Sequence, residues 1–268
     1  MRPLSRSEPL WHRTSSSSYI RSPANAITRW RHYNNSHGGT HLNNRNNSTR
    51  ATHNLIFPPA PSNEHHDLAS YAAYAARTGL DVTSKTFVGT RYEYAVAAAI
   101  ARLGFAVRRV GGRADCGIDL LGTWTVPSSF PSPSPLRVLL QCKASSSSSS
   151  TQIGPHLVRE LEGAFVGAPA GWRGSGVLGL LVAQRPATRG VRDALGRSRW
   201  PMGYVSCSRD GRLEQMLWNE RADREGLEGL GATLQFAEGE GGRMEKELVL
   251  TWKGRPVGFD EEPADGLP

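Results

Sequence analysis

The chain has 268 residues, a net charge of +8 and a sequence pI near 9.8. Residues 1–63 hold eight Arg against one acid, Glu8, so the remainder nets only +1 (24 basic and 23 acidic residues). Overall basicity therefore does not establish strong non-specific nucleic-acid binding by the folded part, which would need clustered cations. Cys116, Cys142 and Cys207 have no CxxC spacing, which argues against a disulfide framework and a zinc site. The longest apolar runs, such as Val177–Ala183, fall far short of the roughly 20 residues needed to cross a bilayer.

Residues 1–63 are rich in Arg, Ser, Asn and His and nearly free of acids. That composition predicts an organellar targeting peptide, with mitochondrial import to the matrix, rather than a secretory signal with its continuous apolar core. A disordered basic arm kept in the protein is the alternative. A folded domain is expected over 64–258, and an acidic, flexible tail over 259–268.

In chain order, residues 68–76 read as a short Ala-rich helix, and Thr90 as the cap of a helix over Arg91–Leu103 closed by Gly104. Phe105–Val110, Ile118–Trp124 and Leu136–Ala144 read as strands, the last apolar on both faces and so central. The Pro-rich stretch 127–135 between the second and third must be a loop, and Ser145–Ser150 a flexible insertion. A helix over Pro155–Val166, a strand over Val177–Gln184, a helix over Thr188–Gly196 and a strand over Met202–Ser206 follow. Leu213–Asn219 and Asp223–Leu227 are harder to assign. A hairpin pairing Thr233–Ala237 with Glu247–Lys253 ends the fold. The order α-β-β-β-α-β-α-β predicts an α/β domain with a mixed sheet, a three-strand meander extended through a helical crossover.

Seven of the eight His precede residue 67, which makes His-based triads and zinc-hydrolase sites improbable in the domain. Glu64, His65, His66 and Asp67 resemble a metal cluster but read better as an exposed polar turn. No Gly-rich loop ending in Lys-Ser/Thr points to a nucleoside triphosphatase. Carboxylate and lysine chemistry remains. Gln141 and Lys143, two apart on a strand, project to one side. If Asp119 faces that side from the neighbouring strand, an acid, an amide oxygen and an ammonium converge. The three suit Mg²⁺ and a phosphodiester: the cation takes oxygen ligands and makes a bound water easier to ionise. Lys143 is one of only four Lys against 28 Arg, and a compact ammonium orients one water as a guanidinium fork cannot. Blander readings stay open: Asp115 and Gly117 as turn formers, Gln141 as an ordinary strand residue, Lys143 as a solvated strand end and Glu93 as an exposed helix position. Arg91, Arg102, Arg108, Arg109 and Arg113 could contact phosphates or simply face solvent. The Trp residues read as packing.

Glu93 within Gly89–Val96, then Gly112 through Asp119, then Gln141-Cys142-Lys143 resemble the PD-(D/E)XK nuclease superfamily, closest to its Mrr-like restriction-endonuclease branch, in which a Q-x-K variant occurs. The strings Met216–Asn219 and Leu250–Gly254, with the Arg-rich leader, add a resemblance to the fungal mitochondrial "required for respiratory growth" proteins. The likeness covers roughly residues 84–256. It implies a restriction-endonuclease-like core and Mg²⁺-dependent cleavage of nucleic acid, DNA before RNA. It also implies that Asp119 binds metal, Gln141 stands in for the second acid, Lys143 is the catalytic lysine, Glu93 is a helical acid and metal ligand, and Asp115 is auxiliary. A neutral Gln141 weakens cation affinity unless Glu93 supplies charge, so a catalytically silent relative is a second reading: a nucleic-acid-binding or assembly factor for mitochondrial gene expression. An interaction scaffold with no nucleic-acid role is a third.

Overall fold

A computed structural model of the chain describes Leu55 and residues 57–112, 116–126, 135–145, 153–238 and 244–257. Most of the expected leader, Asp115 and Arg113, most of the Pro-rich loop and of the serine insertion, and the acidic tail lie outside the described residues.

Helix α1 (Leu68–Thr78) starts at a capping box: Asp67 accepts the Ser70 N–H, and the Ser70 hydroxyl takes the Asp67 N–H. Helix α2 (Lys85–Ala101) begins before the expected Arg91, because Ser84 Oγ, not Thr90, accepts an N-terminal amide, Phe87 N–H at 3.1 Å. Gly89 weakens the helical signal there, but packing overrides propensity. Thr90 sits inside the helix and is buried.

Strands β1 (Phe105–Arg109), β2 (Leu120–Trp124) and β3 (Leu136–Lys143) form the expected antiparallel meander. Helix α3 (Pro155–Gly167) leads to β4 (Val177–Ala183), which pairs parallel with β3, and α4 (Arg189–Arg197) leads to β5 (Met202–Cys207), parallel to β4. The ambiguous segment after residue 212 becomes β6 (Leu213–Trp218), antiparallel to β5. The six strands lie in the order β1 to β6, so the fold is a mixed α/β sheet as expected. Alternation splits β3 between two cores. Val138 and Leu140 face α2, packing with Tyr92, Val96 and Ile100, while Leu139 faces α3 and α4 with Leu161 and Val191. Helices on both faces explain why β3 and β4 are apolar on both sides.

After β6, Asn219 caps the short α5 (Glu220–Ala222). Its buried amide accepts from Met202 N and Ala222 N (3.1 and 3.0 Å) and donates to Leu195 O and Trp200 O (3.0 and 2.8 Å). The Met216–Asn219 string thus ends in the residue that ties β6 to β5 and α4. The terminal hairpin is longer than expected: β7 (Leu230–Glu238) pairs with β8 (Met244–Trp252), and β9 (Arg255–Pro256) adds a third short strand. Leu230, Leu248 and Leu250 close the α2-side core. Trp124 and Trp172 are fully buried, and Trp200 stacks on Phe165, so these three pack as the sequence suggested.

The described body reaches back beyond the composition shift at residue 64. Phe57 lies against Trp172 (ring centroids 5.1 Å) and beneath the Arg108 guanidinium (4.9 Å). Leu55 joins the same α3-side core.

Candidate functional site

The loop between β1 and β2 turns back on one carbonyl: Val110 N and Gly111 N both donate to Asp119 O, at 2.8 and 2.9 Å. Asp119 then donates its own N–H to Leu140 O at 2.9 Å, and its Oδ2 accepts the Cys142 N–H at 2.6 Å. The carboxylate therefore rests on the β3 backbone between Gln141 and Lys143, bringing these three sequence-predicted residues to one strand end. A charge-assisted bond of this kind is among the stronger ones a carboxylate makes.

Gln141 is 4% exposed, and its Oε1 has no hydrogen-bond partner among the described residues. Leaving a buried acceptor unsatisfied costs about 1–3 kcal/mol, an expense more often met at functional positions than in ordinary cores. The amide is wedged against the loop: a Cβ on Gly117, whose φ is +78°, would lie 2.7 Å from Gln141 Nε2. Gly117 thus meets two demands at once, a left-handed backbone and room for the amide. The loop also abuts α3, since a Cβ on Gly167 would come within 2.7 Å of Cys116 Cβ.

Lys143 reaches α3, where its Nζ sits 2.9 Å from Glu160 Oε2. Both side chains keep solvent contact, 31% and 47% exposed. Glu93, on α2, has a partner of its own. Its carboxylate accepts from Arg109 Nε on β1, in a pair whose side chains are only 12% and 13% exposed. Arg109 also donates to Thr90 Oγ1 at 3.3 Å and stands 5.8 Å from the Tyr94 ring. Arg109 is thereby corrected from a phosphate contact to an internal cation. Arg108 covers Phe57, and Arg91 reaches Arg209 O at 3.5 Å. Burial, and after it the Asp119 and Glu93 charges, hold the Cys142 thiol well above its ordinary pKa, so this cysteine stays protonated.

The Glu64–Asp67 segment is not a metal cluster. His65 is buried, its Nδ1 2.8 Å from Tyr94 Oη, with the rings of Tyr71 and Tyr74 about it. Burial and the Arg109 charge lower its pKa. His66 is exposed, and Glu64 pairs with Arg77. His65 is also not the exposed turn residue the sequence suggested. Two residues that shape the site, Glu160 and Arg109, carried no local signal, because their partners lie 17 and 16 residues away in the chain.

Among the described residues no three His, Cys, Asp or Glu side chains gather as a metal-binding group. A cation site here would be mixed: the Asp119 carboxylate with Gln141 Oε1. The orphaned, buried amide oxygen fits this chemistry, because hard divalent cations take oxygen ligands and retain water.

A family model described as "Required for respiratory growth protein 7" matches residues 84–132 and 129–234. An uncharacterized mitochondrial protein of Schizosaccharomyces pombe is 29% identical over 161 residues. That alignment covers 59% of this chain and 61% of the relative, less than two thirds of the latter's length. No solved structure matches the chain.

Proposed function

The chain belongs to the Required for respiratory growth protein 7 family, and on that premise we propose a mitochondrial protein that supports respiratory growth through a restriction-endonuclease-like domain hydrolysing nucleic-acid phosphodiesters, DNA before RNA. The observation that carries this reading is the Asp119 carboxylate seated on β3 between Gln141, with its unpartnered oxygen, and Lys143. The Arg-rich leader and the mitochondrial relative support mitochondrial residence, within which the matrix is the proposed compartment.

Asp119 and Gln141 Oε1 would hold Mg²⁺, with Glu93 as the helical acid behind them and Asp115 auxiliary. The cation, when bound, stabilises charge on the phosphate and makes a water easier to ionise. Lys143 Nζ would hold a water or a non-bridging phosphate oxygen, once Glu160 no longer occupies it. Hydrolysis adds water at phosphorus and breaks one ester P–O bond, giving a phosphate monoester and a hydroxyl. The fixed hydrogen bond from Cys142 N keeps Asp119 oriented toward the position where the scissile group must sit.

The near-neutral charge beyond residue 63 favours a second reading, a nucleic-acid-binding or assembly factor without cleavage. The deciding experiment incubates full-length protein with linear and supercoiled DNA and with RNA, in Mg²⁺, Mn²⁺ or EDTA. Cleavage is expected with metal only, and Asp119→Asn and Lys143→Ala should each lower it by at least about 100-fold. Cleavage equal in wild type and both variants overturns the enzymatic reading. Salt-sensitive binding without cleavage supports the second.

A further inference from the structure

We propose that Glu160, on α3, is the second acid of this site and supplies from a helix the negative charge that β3 lacks at Gln141. The inference rests on the reading of Asp119, Gln141 and Lys143 as a cation and phosphate site.

The need is electrostatic. Asp119 and the Gln141 amide oxygen offer a divalent cation one formal negative charge, and cation affinity is tuned by ligand charge count. Glu93, the helical acid behind them, is already engaged. Its charge is already matched by Arg109 in a pair about one-eighth exposed, and Arg109 is held further by Thr90 and Tyr94. Drawing Glu93 away would strand a guanidinium in the interior, which is strongly destabilising.

Glu160 is under no such constraint. The alternation of β3 puts Gln141 and Lys143 on the face of Leu139, the face α3 covers. Leu157, Leu161 and Ala164 are buried against that face, which fixes the rotation of α3 and brings Glu160 to Lys143 Nζ at 2.9 Å. The pair is 31% and 47% exposed, so exchanging one partner costs little. The buried Gln141 Oε1, without a partner among the described residues, is the second and independent sign that an electropositive ligand belongs beside this strand end. Without a cation, Glu160 neutralises Lys143. With one, Glu160 turns to the cation, and the Lys143 ammonium becomes available to a phosphate oxygen. Ion binding and release of the lysine are then one event.

The test measures Mn²⁺ binding to the full-length chain from the loss of the free-ion electron paramagnetic resonance signal. Asp119→Asn should abolish the tight site, and Glu160→Gln should weaken it at least about tenfold. Glu162→Gln removes the same charge from the same helix, but Glu162 is bonded to Ser198 Oγ at 2.6 Å and should change affinity less than about twofold. Lys143→Met should tighten binding in the wild-type background and have a smaller effect beside Glu160→Gln. Unchanged melting of ion-free Glu160→Gln excludes misfolding as the cause, as an exposed pair predicts. If Asp119→Asn abolishes binding while Glu160→Gln matches wild type, or if Glu160→Gln and Glu162→Gln weaken it equally, the assignment of Glu160 is overturned and the site reading stands. Absence of any Asp119-dependent Mn²⁺ binding overturns both.

Discussion

Replacing Glu93 by Gln removes the charge opposite Arg109 while keeping side-chain volume. Arg109 would be left with Thr90 Oγ1 at 3.3 Å and the edge of a cation–π contact with Tyr94, in a site where its side chain is 13% exposed. Removing one partner of a buried pair costs about 3–5 kcal/mol, and the residual solvent contact here argues for the lower end, about 3 kcal/mol. For a domain of this size class that is a fall in Tm of roughly 6–12 °C. Arg109→Met alone should also destabilise, by removing the guanidinium from which the buried Glu93 carboxylate accepts. The double variant should recover about 2 kcal/mol of the summed loss, since it removes both charges of the pair together. Urea and thermal unfolding of the four proteins, followed by circular dichroism, measure the cycle. A loss below about 1 kcal/mol for Glu93→Gln, the range of exposed pairs, would refute the reasoning, as would strict additivity in the double variant.

Gly117→Ala should cost about 1–2 kcal/mol for the left-handed backbone alone, and should also displace the Gln141 amide, so Mn²⁺ affinity falls with stability; a variant that melts and binds like wild type refutes the wedge. Gly122→Ala would put Cβ 2.1 Å from the Ala106 carbonyl oxygen, forcing β1 from β2, and should yield insoluble protein or a Tm lower by more than 10 °C, roughly the scale of an overpacked core. Asn219→Ala strips four hydrogen bonds from backbone groups, three of them buried, and should cost about 2–4 kcal/mol in urea unfolding, whereas loss of under about 0.5 kcal/mol would contradict its anchoring role. His65, with a folded pKa below 6.5, binds fewer protons folded than unfolded. Its contribution is therefore intact above pH about 6.5 and lost as pH falls through the folded value. His65→Gln should flatten the stability profile in that window, and an unchanged slope would exclude His65 as its source.

Residues that speak through local pattern were legible from sequence. The β1–β3 meander, Pro155 opening α3, and Thr188 ahead of α4 all follow from apolar runs and end signals within a few residues. Asp119, Gln141 and Lys143 were legible as a group because strand alternation and order along the chain suffice to place them near one another. Ser84 was missed as the start of α2 because Gly89 interrupts the pattern, and only the sheet and α1 make those turns helical. Arg109 read as a surface cation because nothing in its neighbourhood reveals that Glu93, on the preceding helix, turns toward it. Glu160 stayed hidden for a related reason. Its meaning depends on the helix rotation set by Leu157 and Leu161, which is a property of packing.

The segment at Phe57 closes one end of the core. Phe57 lies on the α3 side of the sheet, beneath Arg108, while α2 packs on the other side. The β7–β8 hairpin belongs to a separate three-stranded sheet that packs against β6 and closes the α2 side. A protein shortened to residue 64 would keep every strand but lose Leu55 and Phe57 from the α3-side core, uncovering Trp172 and the stem of Arg108. Removal of these residues would thus open the α3-side core at its β1 end, and a chain that keeps Leu55 and Phe57 holds it closed.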